Sequence, residues 1–583
     1  MEQIVDATGL VAVLRTRGVG RGTPVAIALG HGVVGLSVAG GIPIICADIA
    51  ALTVADADLR PRWVWWDQET AAALVAAGVR VTTCWDVAAV HRLVAGGWRA
   101  DAARVWAWLH DLPSAGIPVP GQLDLLGGGG NDGSADDGPV RADGHLRAEW
   151  IAGGWRSVPS MAGAWAGVVG QAYDLQVGRL ALVIAGGDPM STARSESAAE
   201  LLCAELAADG LPIDVPLAEQ IIAGVIGPRP SDEREADQRR RERDDMVRAV
   251  APAGGTIDLR SPADVKAMLQ RAGIAVDDTR AWRLEGLRDA HPVVDALLRW
   301  RKAERMATTY GYGWLDQHVD ADGRLRGAWT GCDGAAGRMT AQAGLHSLPA
   351  DMRPAVRAEA GHLFVRADLG QIEPRVLAVV SGDPGLLQAT ADDDLYAPVA
   401  ARLGVERPKA KIAVLAAMYG QTSGAAGEAL RGMERAYPTA IRFLRDAEEA
   451  GRSGHDIRTY GGRLVRMWET RAETDVDADE QALRSARAGR GRFARNAVVQ
   501  GAAAELFKAW AATVRVRCAP MGARIVLCLH DELLVHVPQE HATAVAEVMD
   551  TSLAEASWRW SAGSRARFVS DTGIVGSWAD SKP

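Results

Sequence analysis

The sequence predicts an α/β region, a mainly helical middle and an α+β region, in that order along 583 residues. Three observations predict this. Residues 1–125 alternate short β-type runs with Ala-rich helical stretches, the pattern of a layered α/β domain. Residues 145–250 read as helices. Beyond residue 255, long amphipathic stretches are interrupted by two apolar β-type runs, His362-Leu363-Phe364-Val365 and Arg524-Ile525-Val526-Leu527-Cys528-Leu529.

Residues 22–47 carry no Asp, Glu, Lys or Arg, a length sufficient to cross a bilayer. Six Gly, two Pro and His31 break the run, so it reads as short strands joined by turns. Residues 62–66 and 79–82 follow as β-type runs and residues 86–94 as a helix. Four glycines at 127–130, then Asn131, Asp132, Gly133 and Ser134, predict a polar loop or linker through residue 137. In residues 232–245 acids and arginines interleave at helical spacing, as on a solvated helix or the rim of a nucleic-acid groove. Residues 263–272 and 293–309 read as amphipathic helices.

Composition bounds the function. With 48% apolar and 23% charged residues and a mean hydropathy of -0.03, the chain has the make-up of a globular multi-domain protein rather than a disordered, coiled-coil or membrane one. The net charge is -9, so any nucleic-acid site must be locally basic. Residues 401–520 supply such a zone, and residues 484–495 hold five Arg and no acid. The six cysteines lie far apart without a C-x-x-C pair, which predicts neither a disulfide framework nor a zinc site and fits a reducing cytoplasm. No basic segment opens the chain, so no signal peptide is expected.

Two acids stand at the ends of apolar runs. Asp368 ends Phe364-Val365-Arg366-Ala367 and precedes Leu369-Gly370-Gln371-Ile372-Glu373-Pro374-Arg375, where Pro374 suits the start of a helix. Asp531 lies in Leu527-Cys528-Leu529-His530-Asp531-Glu532-Leu533-Leu534-Val535, which reads as a hairpin with a charged tip. Either acid alone also fits a structural role; two together are the carboxylate pair that a metal site requires. Between them, Arg407, Lys411, Leu415 and Tyr419 recur every four residues and share one helix face. Two cations one turn apart form a clamp for a polyphosphate or, equally, an ordinary solvated stripe.

Taken together, these segments resemble the family A DNA polymerases, the polymerase I type. The family's D-x-x-Q-I-E-x-R matches Asp368, Gln371, Ile372, Glu373 and Arg375. Its R-x3-K-x7-Y-G helix matches Arg407, Lys411, Tyr419 and Gly420, and its H-D-E hairpin matches His530, Asp531 and Glu532. Ser261-Pro262, His291-Pro292, Gly337-Arg338, Leu345 and Leu348-Pro349 resemble the thumb and the template-gripping segment, and Arg492, Asn496 and Gln500-Gly501 resemble the palm helix that follows the minor groove.

The resemblance implies a right-hand polymerase domain of palm, fingers and thumb over residues 255–583, a helical connecting segment over 146–254, and an exonuclease-like (ribonuclease H-like) α/β domain over 1–145, with no room upstream for a 5′-nuclease domain. It implies two Mg2+ ions held by Asp368 and Asp531 with Glu532 beside them. Arg407 and Lys411 then neutralise the triphosphate, and Lys411 protonates the leaving pyrophosphate. Gln371, Glu373, Leu415, Tyr419 and His530 complete the nucleotide site, Glu373 by blocking a ribose 2′-hydroxyl. Arg338, Arg492, Asn496 and Gln500 contact primer-template DNA. A cytoplasmic monomer is expected. Three departures bear on selectivity: Leu415 where the family carries Phe or Tyr, Tyr396 where a His often lies, and Leu369-Gly370 before Gln371 in place of Tyr-Ser. Asp67-Gln68-Glu69-Thr70 superficially fits the exonuclease motif D-x-E-T, but a helix-like stretch follows it and no Y-x3-D partner is found, so a degenerate domain without catalysis is expected. A single-subunit RNA polymerase, which shares the R-x3-K-x7-Y-G helix, a non-catalytic DNA-binding relic and a repair nuclease driven by Asp67 and Glu69 stay open as alternatives; Glu373 and the Asp531-Glu532 pair favour DNA synthesis.

Overall fold

A computed structural model describes residues 3–39, 41–118, 138–254, 257–420, 425–474 and 479–581. The linker expected at 127–137 lies outside them. The chain forms two compact units: Met1–Asp209 with Ala328–Thr340 and Gly361–Val575, and Gly210–Gly327 with Ala341–Ala360 and Gly576–Pro583.

The N-terminal part of the first unit is a six-stranded sheet: β1 (Gln3–Val5), β2 (Pro24–Gly30), β3 (Val33–Ser37), β4 (Ile44–Cys46), β5 (Arg62–Trp65) and β6 (Cys84–Asp86), in the order β1-β4-β3-β2-β5-β6. The charge-free run 22–47 thus becomes an antiparallel meander, β2 to β4, turning through Gly32 at φ +75°. β5 and β6 lie parallel to β2, and the helices Ala51–Leu59 and Gln68–Ala76 make the crossovers that parallel pairing demands. Strand alternation explains the lack of charge: Val25, Ile27, Trp63 and Trp65 enter one core, while Ala26, Ala28, Val64 and Trp66 enter the other. The expected run 79–82 is not a strand. Val79 and Val81 are buried, but Thr82 is held through its N–H and hydroxyl by Asp56 Oδ2, at 2.9 and 2.6 Å, rather than by a neighbouring strand.

Where the sequence suggests a boundary near residue 145, the chain continues to pack on this sheet. The Pro159–Ala181 helix covers the face carrying Ala26 and Ala28, so closely that a Cβ on Gly35 would lie 2.3 Å from the Ala162 backbone. The Pro189–Asp209 helix places Leu201 and Ala204 in the opposite core. That same helix is fastened to the 39-residue helix Glu480–Cys518 by buried ion pairs, Lys508 Nζ to Glu196 Oε2 at 2.7 Å and Arg515 Nε to Glu205 Oε2 at 2.6 Å.

The other sheet of this unit has four antiparallel strands in the order Arg524–Leu529, Glu532–Pro538, His362–Leu369, Ser570–Val575. Its inner strands are buried on both faces, which accounts for their near-continuous apolar sequence. The Arg407–Tyr419 helix forms as the four-residue spacing predicts and ends at Gly420, φ +66°.

The second unit is mostly helical. Ser261 and His291 cap the Pro262–Arg271 and Pro292–Thr309 helices, each with Pro at the first position. The mixed-charge run lies on the Glu233–Arg248 helix, where buried Asp244 accepts Arg260 Nη1 and Trp300 Nε1, both at 2.8 Å. Among the described residues no helix is long and apolar enough to cross a membrane.

Candidate active site

Sheet register brings the acids together. Asp368, one residue from the end of its strand, pairs with Glu532 across the ladder, and Glu532 follows the two-residue hairpin turn His530-Asp531. That turn needs a left-handed residue, and His530 supplies it at φ +29°. Asp531 is thereby fixed at the turn beside two other carboxylates. Burial, reinforced by Asp368 and Glu532, pushes its carboxyl up to about 6, its own backbone N–H giving partial relief.

Beneath this group lies Arg366, which the sequence reading passed over. Its side chain is 2% exposed; Nη2 donates to Asp368 Oδ2 at 2.7 Å and Nε to Glu532 Oε1 at 2.9 Å. Arg366 and Asp368 are two residues apart on one strand and so share a face, a signal that strand periodicity made available. Glu532, expected at the metal, is buried as the partner of this guanidinium. The acids still suit a hard divalent cation. The donors are carboxylate oxygens, and Asp531 is crowded by like charges that such an ion relieves.

A second cluster surrounds Glu373 on the Ile372–Ser381 helix. Arg338 Nη2 donates to Glu373 Oε1 at 2.8 Å and the Tyr419 hydroxyl to Oε2 at 2.9 Å, with Gln500 also bonded to Tyr419. Gln371 turns inward instead, Oε1 accepting the Leu395 N–H at 3.1 Å. Arg375 is fully buried in a cage of carbonyls from Gly370, Thr390, Asp392, Asp393 and Arg567, and this desolvation lowers it to about 10.

On the Arg407–Tyr419 helix, Arg407 and Lys411 are exposed and Leu415 half-buried. Arg407 is held in a forked pair by Asp394, Nε to Oδ2 at 2.5 Å and Nη2 to Oδ1 at 3.1 Å, 5.7 Å from the ring of buried Tyr396. Burial pushes the Tyr396 hydroxyl up to about 12. Arg492, Asn496 and Gln500 form one stripe along the Glu480–Cys518 helix, and Asn496 Oδ1 is buried without a hydrogen-bond partner among the described residues. His530 is exposed, its imidazole lowered by desolvation and then by Arg338.

Asp67 and Glu69 do not form a comparable pair. Asp67 follows β5 and caps the Gln68–Ala76 helix, accepting the Glu69 N–H at 3.1 Å, while the Glu69 side chain is 82% exposed. The motif therefore reads as a helix start, because an acid after a strand and before an Ala-rich run is an N-cap signal.

Comparison with known proteins agrees with the motifs. The family model described as DNA polymerase family A matches residues 232–578, well over half of the chain. DNA polymerase I, thermostable, of Thermus aquaticus is 31% identical over 298 residues, covering 46% of this chain and 35% of that protein. DNA polymerase I of Chloroflexus aurantiacus is 30% identical over 297 residues, covering 46% of this chain and 30% of that protein. The chain thus spans about a third of the length of these relatives. A solved structure titled as the POL domain of Pol1 from M. smegmatis in complex with DNA primer-template and dNTP superposes with a TM-score of 0.67, at 21% identity and covering 100% of both chains, a likeness of fold. The chain belongs to DNA polymerase family A.

Proposed function

From that membership we propose that the chain carries out template-directed DNA synthesis, adding dNTPs to a primer 3′-hydroxyl. The observation that carries this reading is Asp531, half-buried beside Asp368 with its carboxyl pushed up to about 6 by burial and then by the surrounding acids. Asp368 and Asp531 hold two Mg2+ ions, which when bound supply Lewis-acid stabilisation of the phosphates and activation of the hydroxyl. Glu532 acts one step back, sharing Arg366 with Asp368.

Arg407 and Lys411 bind the triphosphate, and Lys411 gives a proton to the departing pyrophosphate. Arg407 must first exchange Asp394 for phosphate. Glu373, pinned by Tyr419 and Arg338, presents a fixed wall to the sugar and disfavours a ribose 2′-hydroxyl. Gln371, Leu415 and His530 complete the nucleotide pocket. Arg338, Arg492, Asn496 and Gln500 follow the primer-template, the unpartnered Asn496 oxygen being suited to a minor-groove donor.

We read the N-terminal α/β region as a degenerate exonuclease-like, ribonuclease H-like domain, with the polymerase portion over 255–583 and the helices between as its connection. The mixed sheet, and central strand β2 without a single acid, support a domain without catalysis. We read the whole as a cytoplasmic monomer, consistent with its unpaired cysteines.

Primer extension with Mg2+ tests the proposal, comparing dNTPs, ribonucleotides and no nucleotide, for the wild type and Asp531→Ala. Templated dNTP addition lost in the variant is expected. Extension with ribonucleotides alone supports an RNA polymerase instead, and primer shortening without nucleotide restores the exonuclease. No extension with either set sinks the enzyme reading.

A further inference from the structure

We propose that a groove shared by the N-terminal domain and the Glu480–Cys518 helix is a stacking platform for single-stranded DNA, which gives the N-terminal domain a strand-holding function. The groove is lined by Gly97 and Trp98 on one side, Met467 and Trp468 on another, and Gly489 and Phe493 of the long helix on the third. Three large aromatics that a fold would ordinarily bury converge on it: Trp98 is 77% exposed, Trp468 70% and Phe493 42%. Exposed aromatic faces in one cleft match bases, which all offer a π-face whatever the sequence.

The walls are built rather than incidental. Arg466 donates Nε to the Ala95 carbonyl at 2.9 Å, capping the C-terminal end of the Val87–Ala95 helix, and Asp456 holds its Nη1 at 2.9 Å. Gly96, at φ +72°, lets the chain approach so closely that a Cβ there would lie 2.9 Å from the Leu464 carbonyl oxygen. Trp98 and Trp468 are thus carried on two segments locked to each other. The Arg99 guanidinium lies 5.0 Å from the Trp98 ring centroid.

Charge and continuity select the occupant. Residues 484–495 of the long helix carry five Arg and no acid. Arg490 and Arg495 are taken up by Glu473 and Glu448, which leaves exposed Arg492, together with exposed Arg484 and Arg487 once each exchanges its glutamate for phosphate, to suit a phosphate backbone and not a basic peptide. Phe493 follows Arg492 directly, so it is turned by about 100° from the stripe Arg492, Asn496, Gln500. A strand that leaves duplex on that stripe passes round the same helix into the groove. The identity of this strand as a template overhang rests on the proposed polymerase function; the capacity of the groove for single strands does not.

The test measures anisotropy of a labelled oligo-dT of about a dozen nucleotides, a length typical of single-strand sites, without nucleotide, metal or duplex. The wild type should bind, and Trp98→Ala with Trp468→Ala should weaken binding by about tenfold for each ring lost. Trp98→Phe should restore most of the affinity, which a role confined to structure does not predict. A melting curve shared with the wild type shows that the variants fold. In parallel, the ratio of affinities for primer-template with a 5′ overhang and with a blunt end should fall in the double variant. Unchanged oligo-dT affinity in the folded double variant overturns the proposal, as does a wild type that binds no single strand, and a protein partner then becomes the occupant of the groove. If primer extension fails while tryptophan-dependent binding persists, the polymerase reading falls and the platform stands.

Discussion

The two sheets of the first unit both carry aspartates at or beside their strands, and those aspartates have different hydrogen-bond partners. Beside the N-terminal sheet, buried Asp56 and Asp86 are each hydrogen-bonded by local donors. Asp56, on the Ala51–Leu59 helix, accepts Trp63 Nε1 at 2.9 Å together with the N–H and hydroxyl of Thr82; Asp86, at the end of β6, accepts Trp65 Nε1 at 3.1 Å and the Ala89 N–H at 2.8 Å, although burial and then Glu200 push its carboxyl well up. In the four-stranded sheet Asp531 faces acids, and burial pushes its carboxyl up to about 6. An acid whose lone pairs are used by its neighbours holds the fold. An acid placed among acids is destabilising until a cation arrives, the usual signature of a site kept for chemistry.

That contrast breaks if the two kinds of acid respond alike to substitution. The largest effect belongs to Asp531→Ala, expected to lower primer extension by on the order of a thousandfold in single-turnover measurements, as removal of a principal charge-stabilising group does. Next comes Asp56→Ala, which orphans an indole N–H and the Thr82 donors. It should lower unfolding stability by about 3 kcal/mol in denaturant titration, with surviving folded molecules extending primers at the normal rate.

Asp531→Asn should move stability the other way. The folded carboxyl lies near 6 against an ordinary value of 3.8, so its favourable contribution is complete below about pH 4 and is lost as pH rises through 6. Asparagine resembles the protonated form at every pH. In chelator at pH 8 the variant should be more stable by about 3 kcal/mol, with the gain gone at pH 4. Equal stability at both pH values contradicts the crowded-acid reading. The smallest effect is at Asp394→Asn, which frees exposed Arg407 for phosphate and should lower the KM for dNTP by about threefold while leaving kcat unchanged, in proportion to a surface ion pair.

Much of the site was legible because its parts are local. Arg407, Lys411, Leu415 and Tyr419 share a face through the helical period alone, and Asp368 and Asp531 sit where apolar strand runs stop. The groove tryptophans were not legible, since Trp98 and Trp468 are 370 positions apart and nothing near either marks the other. Nor was the fate of the helices after residue 145, because a helix states which residues lie on its face without stating which sheet will cover that face.

The sequence by itself determined the strand and helix periods, the basic zone within an acidic chain, and the order of three motifs. Tertiary structure decided which acids crowd one another and which guanidinium they share. Arg366 and Glu532 are 166 residues apart, and only the strand register that sets Asp368 against Glu532 brings the guanidinium between them. Periodicity is a property of neighbouring residues, whereas the electrostatic environment of a carboxylate is the sum over everything packed against it.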